Sequence, residues 1–333
     1  MTSPPRVSSC TAVSASPGNT PPICISNAPE ARTVFSARPP ITAHSSRLSS
    51  VSEYQYPAAA PVRSLADALS VTQNGETTFE SALPDSNLAR LFGGQVIAQA
   101  LAAAGHGVTD ERPPHSLHAY FLRPGRVDTP VRYDVETLRD GRSFTSRVVT
   151  ASQQGKPILT MSTSFHAHEP GMGHQIPMPD APDPEGLRSV HDMYESEPAI
   201  YQEWPWVDLR RVPRAAGDSN THMQVWMRTD EPGTPTALAR ACVLAALSDL
   251  SFLSVVLGAH GIDTLHTDHQ IASLDHAMWF HRDTPADDWL LYDQTTPAAS
   301  HGLGLAHGSI FTRDGLMVAS VAQEGLVRPI TSG

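Results

Sequence analysis

Lysine is almost missing from this chain. Of 23 basic side chains only Lys156 is a lysine and the rest are arginines, a skew read as base composition of the genome rather than as function. The basic side chains are also outnumbered. The formal net charge is -11, which argues against a nucleic-acid backbone as partner. Cysteine is scarce, with Cys10 and Cys24 in a polar tail and Cys242 in an apolar run. No disulfide framework can be built from these three, which points to a reducing, cytoplasmic compartment. No uninterrupted apolar run approaches the ~20 residues that a membrane span needs, so no span is expected. A Gly-x-Ser-x-Gly elbow is absent, and a serine acyl-enzyme has no support. The histidine pairs His166/His168 and His266/His269 match no zinc spacing. The run Gly302-Leu303-Gly304-Leu305-Ala306-His307-Gly308 has the wrong glycine spacing for a nucleotide loop and leads into a strand. Neither a metal nor a cofactor is expected.

What is present is size, apolar content and repetition. The chain has 333 residues, 40% of them hydrophobic, enough for two domains and a tail. Residues 1–62 are rich in Ser, Pro, Ala and Thr and lack periodicity. Such a segment buries too little surface to offset its ordering entropy, so it reads as a disordered extension. Beyond it, Ser116-Leu117-His118-Ala119-Tyr120-Phe121-Leu122-Arg123 recurs, with two inserted residues, as Ser273-Leu274-Asp275-His276-Ala277-Met278-Trp279-Phe280-His281-Arg282. Each copy is followed by two apolar strands around a glycine turn, at Gly155 and at Gly315. His118 and His276 are 158 positions apart and the two glycines 160 apart. A near-constant offset across two elements signals an internal duplication.

The local patterns give each copy the same order. A short helix is expected over 65–69 and an edge strand over 77–80. A strongly apolar helix runs over 92–104, opening on Gly93-Gly94 and ending at Gly105, where C-caps favour glycine. Strands follow at 117–122, 131–138, 146–151 and 158–165, with turns at Arg139-Asp140-Gly141 and Gln154-Gly155. A Pro-rich connection covers 169–215. The second copy has a strand over 223–228, a helix over 238–257 capped by Thr234-Pro235, and strands over 271–280, 290–294, 304–312 and 316–327. A helix apolar nearly all round must be buried, so each sheet is expected to wrap its helix in an α+β unit. The domains are therefore 63–168 and 216–330.

Two polar residues resist a purely structural reading. Asp249 lies in the apolar run Cys242-Val243-Leu244-Ala245-Ala246-Leu247-Ser248-Asp249-Leu250-Ser251-Phe252-Leu253. A carboxylate there loses hydration and needs hydrogen-bond partners, the setting in which general bases are made. Gln323 shares a strand face with Met317, Ala319 and Val321, and its first-copy counterpart by the turn alignment is Thr163. One copy carries the pair and the other does not, which favours one reactive site over a symmetric structural role. Ser273 adds a hydroxyl near a strand start. The alternatives are a carboxylate tying down backbone and an acid–base pair built on Asp275-His276. Adjacent strand residues point to opposite faces, which weakens the Asp275-His276 pairing.

The runs Phe92-Gly93-Gly94-Gln95-Val96-Ile97-Ala98-Gln99-Ala100-Leu101, His115-Ser116-Leu117-His118-Ala119-Tyr120-Phe121-Leu122-Arg123-Pro124-Gly125, Asp134-Val135-Glu136-Thr137-Leu138-Arg139-Asp140-Gly141 and Leu274-Asp275-His276-Ala277-Met278-Trp279-Phe280-His281-Arg282 resemble segments of the acyl-CoA thioesterase II (TesB-like) family. The resemblance covers about 65–328. It implies a double hotdog fold, hydrolysis of fatty acyl-CoA to free acid and CoA, and a homo-oligomer, dimer or tetramer; the alternatives are a hotdog hydratase or dehydratase of enoyl-CoA using Asp275-His276, or an inactive acyl-CoA-binding protein. It also implies that the family's Asp, Thr or Ser, and Gln trio falls on Asp249, Ser273 and Gln323, with His115 on the substrate side. Gly93 and Gly94, at a helix N-terminus, would supply backbone donors to the thioester oxygen.

Overall fold

Alternating apolar residues dictate strands, and among the described residues thirteen of them pair antiparallel into one sheet. The computed structural model describes residues 64–84, 86, 88–193, 203–214, 220–230, 236–262 and 268–330. All lie in a compact unit spanning 54–333. The extension expected over 1–62 lies outside the described residues.

The first half contributes β1 (Val71–Gln73), β2 (Thr78–Ser81), β3 (Pro114–Phe121), β4 (Arg132–Asp140), β5 (Phe144–Gln153) and β6 (Lys156–His166). The second contributes β7 (Val207–Arg211), β8 (His222–Thr229), β9 (His269–Ser273), β10 (Asp275–Phe280), β11 (Leu290–Ser300), β12 (Leu303–Thr312) and β13 (Met317–Pro329). The order is β1-β2-β4-β5-β6-β3-β10-β13-β12-β11-β8-β7, with β9 also on β13. Read inward from either edge, the two halves repeat one another. They join at β3 and β10, where His118 lies opposite Ala277 and Ala119 opposite His276. The join removes two exposed edges that would otherwise invite aggregation.

Helices α1 (Leu65–Leu69), α2 (Gly93–Gly105), α3 (Val190–Met193), α4 (Ala237–Asp249) and α5 (Ser254–Ala259) complete the described fold. The two thirteen-residue helices α2 and α4 are buried on nearly every side and pack against each other inside the curved sheet. This is the double hotdog arrangement expected from the sequence. The crossing is antiparallel and tight. A Cβ on Gly93 would lie 2.8 Å from Asp249 Oδ2, and one on Gly105 would fall inside the Leu238 side chain. Gly105 is thus a packing glycine within the helix rather than its cap. The residue of positive φ is Gly107, at 73°.

Other expectations shift for physical reasons. The edge strand of the first half is β1, so the 77–80 strand is interior. The stretch 169–215 contains β7, which forms the far edge of the second half. The part around Met178 and Pro182 lies over the outer face, where the Trp226 indole donates to the carbonyl of Pro182 at 2.9 Å and Met178 packs on the cluster that holds Trp226 and Phe311, while Val190, Trp204 and Trp206 join the main core. Thr236 caps α4 by accepting from the amide of Ala239; Thr234 and Pro235 lie outside the described residues. The segment Ala237–Ala259 is in fact long and apolar enough to cross a membrane, but almost all of it is buried in the core.

The helix expected over 238–257 is broken. Ser248 Oγ donates to the carbonyl of Ala245 at 2.9 Å, a local bond that competes with helical pairing. Tight turns follow, with the amide of Leu250 on Leu247 O and that of Ser254 on Ser251 O. Asp249 is therefore the last residue of α4.

The repeat also has a different register from the one the sequence suggests. The amides of Leu122 and Arg123 bond to Ile158 O at 2.8 and 3.3 Å, and those of His281 and Arg282 bond to Val318 O at the same distances. Leu122 therefore answers to His281, and Arg123 to Arg282. A shift of one residue swaps strand faces. His118 points outward, exposed beside Trp279, whereas His276 points inward and is fully buried. The two histidines of the repeated segment are not equivalents.

Candidate active site

Asp249, Ser273 and Gln323 converge, although they come from α4, β9 and β13. The Gln323 amide nitrogen donates to Asp249 Oδ1 at 3.0 Å and to Ser273 Oγ at 2.8 Å. The Ser273 hydroxyl donates to the same Asp249 Oδ1 at 3.3 Å. Strand β13 carries Gln323 inward on the face it shares with Val321 and Ala319, and its side chain is 1% exposed. Ser273 is brought alongside by the pairing of β9 with β13, where Ser273 lies opposite Gly325. Asp249 and Ser273 are only half-buried, so the carboxylate faces a space that solvent can reach. This differs from the carboxylate sealed in an apolar helix that the sequence suggests; the break after Asp249 opens it.

One carboxylate oxygen is thus engaged by two donors. The other, Oδ2, faces the N-terminus of α2 across Gly93. Helix α2 starts without a side-chain cap at Phe92, so its first amides remain available as donors. The negative end of α4 and the positive end of α2 meet at this point. Glycine is required on both counts: a side chain on Gly93 would strike Asp249 and Phe121, and one on Gly94 would strike the carbonyl of Ala246. Gly93 and Gly94 thus lie where the end of α4 meets the start of α2.

Behind the trio stands a second layer that the sequence reading missed. His276 Nδ1 lies 2.5 Å from Gln323 Oε1. With the amide nitrogen of Gln323 committed to Asp249 and Ser273, its oxygen must accept, so His276 donates from Nδ1. Its unprotonated Nε2 lies 3.0 Å from Ser248 Oγ, whose one proton is shared between this nitrogen and the carbonyl of Ala245. Burial holds the His276 imidazole below its ordinary range, outweighing the opposing pull of Asp249 and the hydrogen bond to Gln323. The neutral ring therefore fixes which way the Gln323 amide faces. The signal was present as a histidine alternating with Met278 and Phe280 on an otherwise apolar strand face. Asp275 goes the other way and accepts from the amide of Glu324 at 2.6 Å. The Asp275-His276 pair is split between faces and does not form an acid–base unit.

His115 is not brought to the trio. It lines a separate cleft with His166, Arg240 and Arg282 at the opposite end of the helix pair, beside the start of α4. The reason is register: β3 bulges between Pro114 and Ser116, and the partner of Phe165 is Pro114, just as the partner of Gly325 is Ser273. Position 115 therefore has no counterpart among the trio.

The chain is also similar to known proteins. The family profile described as acyl-CoA thioesterase matches residues 199–326, and that described as acyl-CoA thioesterase N-terminal domain matches residues 83–166. Human acyl-coenzyme A thioesterase 8 is 37% identical over 259 residues, covering 72% of this chain and 81% of the relative. Acyl-CoA thioesterase 2 of Haemophilus influenzae is 33% identical over 279 residues, covering 80% and 98%. The crystal structure of acyl-CoA thioesterase II TesB2 from Mycobacterium marinum superposes with a TM-score of 0.71 at 38% identity, covering 81% of this chain and all of that one. The chain belongs to the acyl-CoA thioesterase family, hydrolases acting on thioester bonds.

Proposed function

We propose that the chain hydrolyses fatty acyl-CoA to free fatty acid and CoA by direct attack of a water molecule activated by Asp249. The observation that carries this reading is the convergence of Ser273 and Gln323 on one oxygen of that carboxylate. Two donors fix the carboxylate plane, and its Oδ2 is left facing the helix terminus. Water held there gives its proton to Oδ2 while its oxygen attacks the thioester carbon. Positioning of this kind and general-base catalysis each lower the barrier. Charge that develops on the thioester oxygen is met by the first amides of α2, at Gly93 and Gly94. The carbon–sulfur bond then breaks, CoA leaves as the thiolate, and the proton returns from Asp249 to the products. Ser273 and Gln323 orient; His276, behind them, keeps the Gln323 nitrogen turned towards the carboxylate.

A single turnover in heavy-oxygen water tests this reading. Direct attack by water puts one heavy oxygen into every fatty acid released in that turnover. If Asp249 attacked instead and water then opened the mixed anhydride at the Asp249 carboxyl carbon, the acid released first would carry only light oxygen, and the label would appear on the Asp249 carboxylate.

A further inference from the structure

The cleft beside the start of α4 is the duplicate of the candidate active site. Helices α2 and α4 cross symmetrically, so Ala237 answers to Gly93 and Gly105 to Asp249. On the sheet, Pro114 answers to Ser273 and Phe280 to Phe121. The reactive groups have no equivalents. Gly105 stands in the place of Asp249, Leu117 in that of His276, and Thr163 in that of Gln323. Thr163 Oγ1 instead donates to the carbonyl of Ser116 at 3.0 Å.

A discarded site would be expected to close with apolar side chains, as the rest of the core has. This one remains an open cleft of about 160 Å³, and its wall has become basic: His115, His166, His168, His281, Arg240 and Arg282. His115 Nε2 is buried there with no hydrogen-bond partner. Buried polar atoms are rarely left so, and each exception asks for an explanation. We propose that this cleft is a non-hydrolytic binding site for a phosphate group, carried by the nucleotide of a second CoA molecule or by free inorganic phosphate.

The charges favour an anion. Arg240 is paired with Asp283 at 2.7 Å and lies near Asp110. Glu169 lies 3.9 Å from His166. Arg282 has no carboxylate partner among the described residues and holds only the carbonyl of Met317. With Asp283 offset by Arg240 and His166 beside Glu169, Arg282 and the imidazoles of His115, His168 and His281 remain to face the space. Burial, helped by His166, keeps His115 below the usual imidazole range. Burial and Arg282 do the same to His281. His115 and His281 are therefore mostly uncharged at neutral pH, and a bound dianion would draw protons onto them. Binding should tighten as the pH falls.

Equilibrium titration of the full chain with free CoA, and separately with sulfate, tests this. Sulfate keeps its charge between about pH 6 and about pH 8, so a change in its affinity reports the protein. Two CoA molecules per chain are expected, with sulfate displacing one of them and binding roughly tenfold tighter at the lower pH. Arg282→Gln and His115→Leu should each weaken that one site by roughly tenfold or more. Retained acyl-CoA turnover in Arg282→Gln would show that the variant is folded. One CoA per chain together with sulfate binding of this pH dependence would keep the phosphate site and assign it to the free anion. One CoA per chain with no sulfate binding, or sulfate binding indifferent to both substitutions, would overturn it. The inference uses the reading of the active site only to identify its duplicate. Asp249→Asn should leave the sulfate titration unchanged, because Asp249 does not line this cleft, so failure of the mechanism and failure of this site are separate results.

Discussion

Gly93 and Asp249 sit so close that the glycine's missing side chain is part of the site: a Cβ there would begin 2.8 Å from Oδ2. Gly93→Ala should therefore move the carboxylate or the helix terminus and lower kcat by roughly tenfold or more, in keeping with the sensitivity of catalysis to small misplacements. Gly105→Ala is the control at the mirror position. It strikes Leu238 rather than a reactive group, and overpacking should cost about 1–3 kcal/mol of stability with kcat per folded molecule preserved. Kinetics and thermal melts on both proteins check the contrast, and equal kcat losses would remove it.

Gln323 links three side chains, so its removal should act through all of them. Gln323→Ala leaves Asp249 Oδ1 with a single donor and the His276 Nδ1–H with no acceptor. A fall in kcat is expected, together with a loss of about 1–3 kcal/mol from the unpaired buried group. Combined with Asp249→Asn, the effect on kcat should be much less than additive, because both act on one water. Additive losses would show that the two residues serve separate steps.

The buried His276 makes stability depend on pH in a definite direction. Its folded imidazole is held below the ordinary range by burial, while in the unfolded chain it titrates near 6.5. Between those values the unfolded state binds more protons, so stability rises with pH. The contribution is fully present above about pH 6.5 and is lost as the pH falls towards the lowered folded value. His115 and His281 act in the same sense, so the comparison must be with a variant. Urea unfolding of His276→Leu should show a shallower acid loss than the native chain, and lower stability at neutral pH from the unmet Gln323 oxygen. An unchanged acid slope would mean that His276 does not titrate in this range.

Neither half should work alone. Residues 216–333 contain the whole trio but lack β3, which pairs with β10, and β7, which pairs with β8. Expressed separately they should aggregate or be inactive. A soluble, active monomer would show that the continuous sheet is dispensable.

Much of this was legible in the sequence because the patterns were local. The apolar run that forms α2, the strand alternation and the glycine turns each depend on a few neighbours. Asp249, Ser273 and Gln323 could be singled out because each is polar where its element is otherwise apolar, or because the family motif falls on it. What escaped depended on register and on competition between hydrogen bonds. The repeated segment aligns His118 with His276, 158 positions on, yet the backbone pairing of β3 and β10 keeps an offset of 159 that matches Leu117 to His276, and one residue changes the face. That shift hid His276 as a member of the site. The break after Asp249 was hidden for another reason: apolar content predicts burial of 238–257, while the helix is ended by the Ser248 side chain taking the carbonyl of Ala245. His115 was placed with the substrate by its motif, and only the pairing of Pro114 with Phe165 reveals that it lines the other copy.

The most direct measurement is the turnover of Asp249→Asn on a fatty acyl-CoA, with melting temperature recorded on the same protein. Asparagine keeps the shape and the contacts of Oδ1 but cannot accept the proton. General-base catalysis contributes roughly 10²–10⁴-fold, so kcat should fall by about that much, with KM little changed and the fold intact. A well-folded Asp249→Asn protein that turns over acyl-CoA within a few-fold of the native rate would contradict the account.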